Sequence, residues 1–287
     1  MHLNIACIQM NSAGNMAENI ASLTLLVEKA ASQGAEFIAT PENSFLMEEG
    51  GERVLYTQEN HPGVLAAVGL AKKHGVWLLV GSVAIAGEAG KTYNRSLLFN
   101  PSGDITAAYD KIHLFDVDIP GDRSYRESDK MLGGGKLVTA KIVPGASCLV
   151  PGKENLGTRH QALGTTLGLT ICYDLRFPQL YRALAKAGAT ILCVPSAFTK
   201  ITGSAHWHTL LRARAIENTC FVIAPAQTGE HPAGRQTFGH SLIIDPWGNI
   251  LADGGEEVGV VMAKIDVDEV AKVRARLPSL EHDKAFS

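Results

Sequence analysis

Cys172 closes an apolar run in LGLTICYDLRFPQLY (167–181) and stands just ahead of a helix opened by Pro178. A thiol in that place is either a packed small hydrophobe or, as the thiolate, a nucleophile. A turn between strand and helix is where α/β folds present ligands. A neutral thiol attacks poorly, so a catalytic Cys172 requires a base or a positive field beside it. None of the ten histidines sits in a thiol-protease pattern. Glu42 ends the strand-like FIATPEN (37–43), and burial there would raise its carboxyl toward neutrality and suit it to act as a base. Taken singly, Glu42 also reads as a solvated loop acid, Lys111 in YDKIHLF as a surface charge, and Glu127 in SYRESDK as part of a charged loop.

The elements that must position these residues alternate between strand and helix. Strand-like runs fall at 3–9, around 35–43, 76–85, 93–100 and 105–113. Others fall at 165–171, 189–198, 220–227, 239–253 and 258–266. Asn15 with Glu18 three residues on predicts a capping box for the helix that Gly34 ends. Pro62 suits the first turn of a helix stopping near Gly75, and Pro178 opens one to about Lys186. Further helices are expected over 204–219 and 267–276, and Asp245-Pro246-Trp247-Gly248 reads as a tight turn. This alternation predicts an α/β layered protein, one domain over 1–287, with a glycine-rich extended loop at 131–164.

Composition narrows the function class. The 287 residues are 46% hydrophobic and carry a net charge of −3, so neither nucleic acid nor an anionic membrane is expected as partner. No apolar run reaches membrane-spanning length, and MHLNIACIQM reads as a first strand rather than an export signal. The five cysteines are odd in number and scattered, which fits reduced thiols in a cytoplasm. AGKT (89–92) has Ile85 where a phosphate loop needs glycine, and GGGK (133–136) lacks the spacing. His206 and His208, two apart on a helix, point to different faces and do not make a shared metal site.

Six segments in order change the weight of the isolated readings. ATPE, YDKIHLFDVDIP, YRES, TICYDLRFPQLYRALAKAGATIL, PSAFTKITGSAHWHTLLRARAIEN and GHSLIIDPWGNILAD together resemble the nitrilase, or carbon–nitrogen hydrolase, superfamily from residue 3 to about 283. The resemblance implies a four-layer α-β-β-α sandwich and a catalytic triad of Glu42, Lys111 and Cys172, with Glu127 as a second glutamate supporting the lysine or the substrate. It implies that Glu42 moves the proton, that Cys172 attacks the amide carbon, and that Lys111 and the backbone N–H of Tyr173 receive the oxyanion. No metal or organic cofactor is implied.

Within that superfamily the segments resemble the small Nit-type amidases. The reaction implied is hydrolysis of the primary amide of a small carboxylate-bearing substrate to acid and ammonia: deaminated glutathione first, α-ketoglutaramate second, with a nitrile or another amide as further alternatives. A non-catalytic binding module is the alternative outside enzymes. Arg176, Phe198 and Thr202, with Tyr173, are the expected pocket residues. Arg176 would hold the carboxylate or else pair with Asp174. The resemblance also implies a homodimer or larger homo-oligomer built on helices 178–187 and 204–219.

Overall fold

The computed structural model describes residues 1–47, 54–121, 124–143 and 165–284. Along the chain, β1 (His2–Gln9), α1 (Met16–Ser32), β2 (Phe37–Ala39), α2 (Pro62–His74), β3 (Trp77–Ala86), β4 (Thr92–Phe99) and β5 (Ile105–Asp110) come first. A small ribbon of β6 (Asp116–Asp118) and β7 (Ser124–Arg126) follows, then β8 (Met131–Leu132) and β9 (Thr139–Ile142). The second half holds β10 (Thr165–Leu169), α3 (Pro178–Lys186), β11 (Ile191–Cys193), α4 (Lys200–Asn218) and β12 (Phe221–Ala224). Then come the ribbon β13 (Thr228–Glu230) and β14 (Gln236–Phe238), β15 (Leu242–Ile244), β16 (Ile250–Asp253), β17 (Gly259–Asp266) and α5 (Asp268–Arg276).

Two mixed sheets result. One runs β17-β1-β2-β3-β4-β5 with β8 beside β4, and the other runs β16-β15-β12-β11-β10-β9. Each contains a parallel trio, β1-β2-β3 and β10-β11-β12. The period of two along β1 explains the layering. Leu3, Ile5 and Cys7 face inward and pack with Leu167, Leu169 and Ile191 of the other sheet. Ala6 and Ile8 face the opposite way, against Leu23 and Val27 of α1. On the far side, α3 and α4 cover the second sheet through Leu184, Trp207 and Leu211. Helices on both outer faces give the expected α-β-β-α sandwich.

The local signals act as the residue types require, except that Glu18 meets the Asn15 side chain rather than its backbone N–H, so the expected capping box is an N-cap without its reciprocal half. Asn15 Oδ1 accepts from the N–H groups of Ala17 and Glu18, while its Nδ2 donates to Glu18 Oε1. Gly75 closes α2 with a left-handed φ of 62°. Two further expectations need correction. Helix α4 begins at Lys200 rather than 204, because Thr199 caps it by accepting from Thr202 N. The stretch 131–164 is not loop throughout: β8 pairs with β4, and β9 forms an antiparallel edge on β10. The remainder of that stretch, 144–164, lies outside the described residues.

Candidate active site

The carboxyl ends of the two parallel trios meet between the sheets, and the chain places its chemistry there. Glu42 follows β2, Lys111 follows β5, Glu127 follows β7 and Cys172 follows β10. Gly81 of β3 makes the meeting possible. A Cβ there would overlap the carbonyl oxygens of Thr40 and Pro41 and the side chain of Pro195, which flank Glu42 on one side and lead to Ala197 on the other.

Glu42 is held on every side. Its Oε1 accepts from Lys111 Nζ at 2.9 Å and from Asn94 Nδ2 at 2.9 Å, and its Oε2 accepts from the backbone N–H of Ala197 at 2.8 Å. Gln227 Nε2 donates to its carbonyl at 2.9 Å. Lys111 is 2% exposed and also reaches Glu127 Oε2 at 2.8 Å, whose second contact is the N–H of Phe115 at 2.6 Å. Asn94 Nδ2 bridges to Glu127 Oε1 as well, at 3.1 Å. One amide and one ammonium therefore tie two carboxylates together.

Cys172 sits on a strained elbow. Its φ is +48°, a region L-residues avoid, and its N–H is taken by Pro195 O at 2.9 Å. Buried Asp174 pins the turn: its carboxylate accepts from Ile171 N, from Tyr109 Oη and from His113 N, and contacts His113 Nδ1. The turn presents Cys172 to the cavity that Glu42 also lines.

The charges settle in a definite pattern. Burial alone would raise the Glu42 carboxyl, as the sequence suggested. The Lys111 ammonium and its hydrogen bond, joined by the thiol of Cys172, outweigh burial and hold it below the usual glutamate value. Burial, then the negative charge of Glu42, push the Cys172 thiol well above its ordinary value, with Lys111 only partly offsetting them. Burial would lower the lysine, but Glu127 and Glu42 raise it further and keep it charged. The resting site is thus thiol, carboxylate and ammonium. A base is poised, but no thiolate is stored.

A cavity of about 520 Å³ opens above these groups, floored by Glu42, Lys111, Glu127 and Cys172. Tyr173, Phe198 and Thr202 are in its wall, as the pocket reading required. Arg176 is not in that wall. Its guanidinium lies 5.2 Å from the ring centroid of Phe198 and 5.9 Å from that of Tyr173, close to His206 Nδ1, and Asp174 is bound to other partners instead of to it. Arg235 lines the cavity and was not foreseen, since PAGRQTF carries no signal of its own. Asn94 was also missed. A buried amide inside the strand YNRSLLFN was the available clue. His208 and His206 diverge as expected, His208 meeting Asp253 and His206 meeting Arg176.

The family profile described as carbon-nitrogen hydrolase matches residues 4–275. The deaminated glutathione amidase of Synechocystis sp. is 43% identical over 96% of this chain and 96% of its own, and that of Mus musculus is 39% identical over 97% of this chain and 82% of its own. Among solved structures, the C. elegans NitFhit protein superposes with a TM-score of 0.82 at 34% identity, covering 99% of this chain and 65% of that longer one. The CN-hydrolase superfamily protein XC1258 of Xanthomonas campestris, with an arsenic adduct in its active site, superposes with a TM-score of 0.80 at 26% identity, covering 100% and 99%.

Proposed function

Because the chain belongs to the carbon–nitrogen hydrolase family, we propose that it is a thiol-dependent amidase acting on deaminated glutathione, with Glu42, Lys111 and Cys172 as catalytic triad. The observation that carries this reading is the convergence of Cys172, Glu42 and Lys111 at the floor of one cavity, with Lys111 Nζ 2.9 Å from the Glu42 carboxylate and room enough for a tripeptide-derived ligand. Relatives bearing that activity in their names, 37–43% identical over nearly the whole chain, supply the substrate.

In the proposed reaction Glu42 takes the thiol proton as Cys172 Sγ attacks the amide carbon, so thiolate forms only along the reaction path. Lys111 and the backbone N–H of Tyr173 receive the oxyanion. Glu42 returns the proton to the departing nitrogen, leaving a thioester, and then activates water to release the acid. Glu127 orients Lys111. The amides of deaminated glutathione are secondary, so its leaving group is an amine. Release of ammonia from a primary amide, expected from the sequence, applies to α-ketoglutaramate.

That difference makes the test direct. Wild-type protein is given each substrate in turn, with free amine measured from deaminated glutathione and ammonia from α-ketoglutaramate, and Cys172→Ala as the blank. Faster turnover of deaminated glutathione, lost in the variant, is expected. A preference for α-ketoglutaramate moves the assignment to ω-amidase, and turnover that survives Cys172→Ala overturns the triad.

We further infer a homodimer joined through α3 and α4, supported by Ile201 and Ile216 of α4, 44% and 42% exposed. A monomeric mass by light scattering at micromolar concentration overturns it. A reducing, cytoplasmic setting is supported by the four described cysteines, Cys7, Cys172, Cys193 and Cys220, all unpaired. Among the described residues no helix is long and apolar enough to cross a membrane.

A further inference from the structure

The cavity holds several cations, and their partners differ. Lys111 is claimed by two carboxylates. Arg126 lies in a bidentate pair with Asp118. Arg235 is different. Among the described residues no carboxylate pairs with it, and its polar contact is Nη2 donating to the carbonyl of Ala197 at 2.9 Å. Its Nε is buried and, among the described residues, has no hydrogen-bond partner. A buried guanidinium N–H left unpaired costs free energy, and a half-buried cation that meets no carboxylate in direct contact, with the Glu42 charge acting only from beyond Ala197, costs more. Such a group persists where a ligand completes it.

Its position fits a substrate anion. Ala197 carries Arg235 on its carbonyl oxygen and Glu42 on its N–H, so the backbone of one residue separates the guanidinium from the Glu42 carboxylate. The centroid of the Tyr125 ring, also in the wall, lies 5.7 Å from the guanidinium carbon, within cation–π range. A planar fork fixed by a ring and a carbonyl is preorganised for a carboxylate. Arg176, the cation expected from the sequence, spends its faces on Phe198 and Tyr173 outside the wall.

We propose that Arg235 is the carboxylate anchor of the substrate subsite, and that it selects amides carrying an anionic end close to the scissile bond. This rests on the amidase reading above, so the first test avoids catalysis. Glutarate, a dicarboxylate probe, is titrated calorimetrically into Cys172→Ala protein with and without Arg235→Met. Weakening by tenfold or more with an unchanged melting temperature is expected. Equal binding overturns the proposal, whatever the enzyme's substrate. The second test compares kcat/KM for deaminated glutathione and its dimethyl ester. Truncating one partner of a buried charge pair typically costs enough to lower kcat/KM about 100-fold, and the loss should fall on the acid far more than on the ester. Equal losses on both would mean that Arg235 serves Glu42 through the Ala197 peptide rather than the substrate. Arg176→Met is the control: if it, and not Arg235→Met, abolishes the preference for the acid, the anchor is Arg176. Arg235→Lys, which keeps the charge but not the fork, is expected to recover part of the glutarate affinity.

Discussion

Lys111 Nζ stands 2.9 Å from Glu42 Oε1, with both side chains almost fully withdrawn from solvent. This contact decides the protonation state of the base, because burial pulls the carboxyl one way and the ammonium pulls it the other. The ammonium wins, assisted by the thiol of Cys172. Glu42 is therefore held as a carboxylate beside a neutral thiol, and in the proposed reaction deprotonation is coupled to attack.

The pH dependence follows from that balance. A carboxyl whose folded value is depressed stays ionised as pH falls below the ordinary glutamate value near 4.5. The acid limb of kcat/KM should lie below that value, and acid loss of activity should track unfolding rather than a midpoint near neutrality. The same shift contributes stability that is present above the unfolded value and is lost as pH falls through the folded one. A clear midpoint between pH 6 and 7 on the acid side would contradict this charge pattern.

Asn94→Asp tests the amide that joins Glu42 to Glu127. The substitution keeps the shape and replaces a donor to both carboxylates by a third negative charge. Like charge raises a neighbour's proton affinity, so the acid limb should move up by about one pH unit or more. Asn94→Leu, which loses the donor without adding charge, should lower kcat with a smaller displacement of the limb. An unmoved profile in Asn94→Asp would remove Asn94 from any part in setting the base.

Lys111→Met removes the ammonium from between two carboxylates. Leaving a buried charge unpaired typically costs about 3–5 kcal/mol, so a large fall in melting temperature is expected. Loss of an oxyanion donor adds about 10²–10³ in rate. The double variant Lys111→Met with Glu127→Gln, which also removes one orphaned charge, should recover stability but not activity. Recovery of both would mean that Lys111 serves only to hold the site together.

Gly81→Ala probes the close approach behind the site. A methyl group there meets the carbonyl oxygens of Thr40 and Pro41 and the ring of Pro195, and two of these neighbours are backbone. Over-packing of this kind costs about 1–3 kcal/mol, and here the strain lands on the segments carrying Glu42 and leading to Ala197. Folded protein with kcat reduced more than KM is altered is expected. Wild-type kinetics in the variant would show that this contact does not set the geometry.

Local readings held where the cause was local. The Asn15 cap, the Pro178 start of α3, the left-handed turn at Gly75 and the strand parity of β1 depend on residues a few positions apart. The six ordered segments led in the same way to Glu42, Lys111, Glu127 and Cys172. Strand β9, by contrast, exists because its four residues pair with β10, and a short edge strand in glycine-rich surroundings has no periodicity of its own to announce it.

Residue types, caps and alternation were thus determined by the sequence by itself, together with the identity of the four groups at the floor of the site. Tertiary structure alone decided their charges and that Arg235 rather than Arg176 faces the cavity. Glu42 meets Lys111 across 69 positions and Ala197 across 155, and only that encounter turns an acid that burial would neutralise into a carboxylate. Arg176 and Arg235 are the same residue type. The first lies over its aromatic neighbours and the second, among the described residues, has no carboxylate in direct contact, a difference made by packing between segments far apart in the chain.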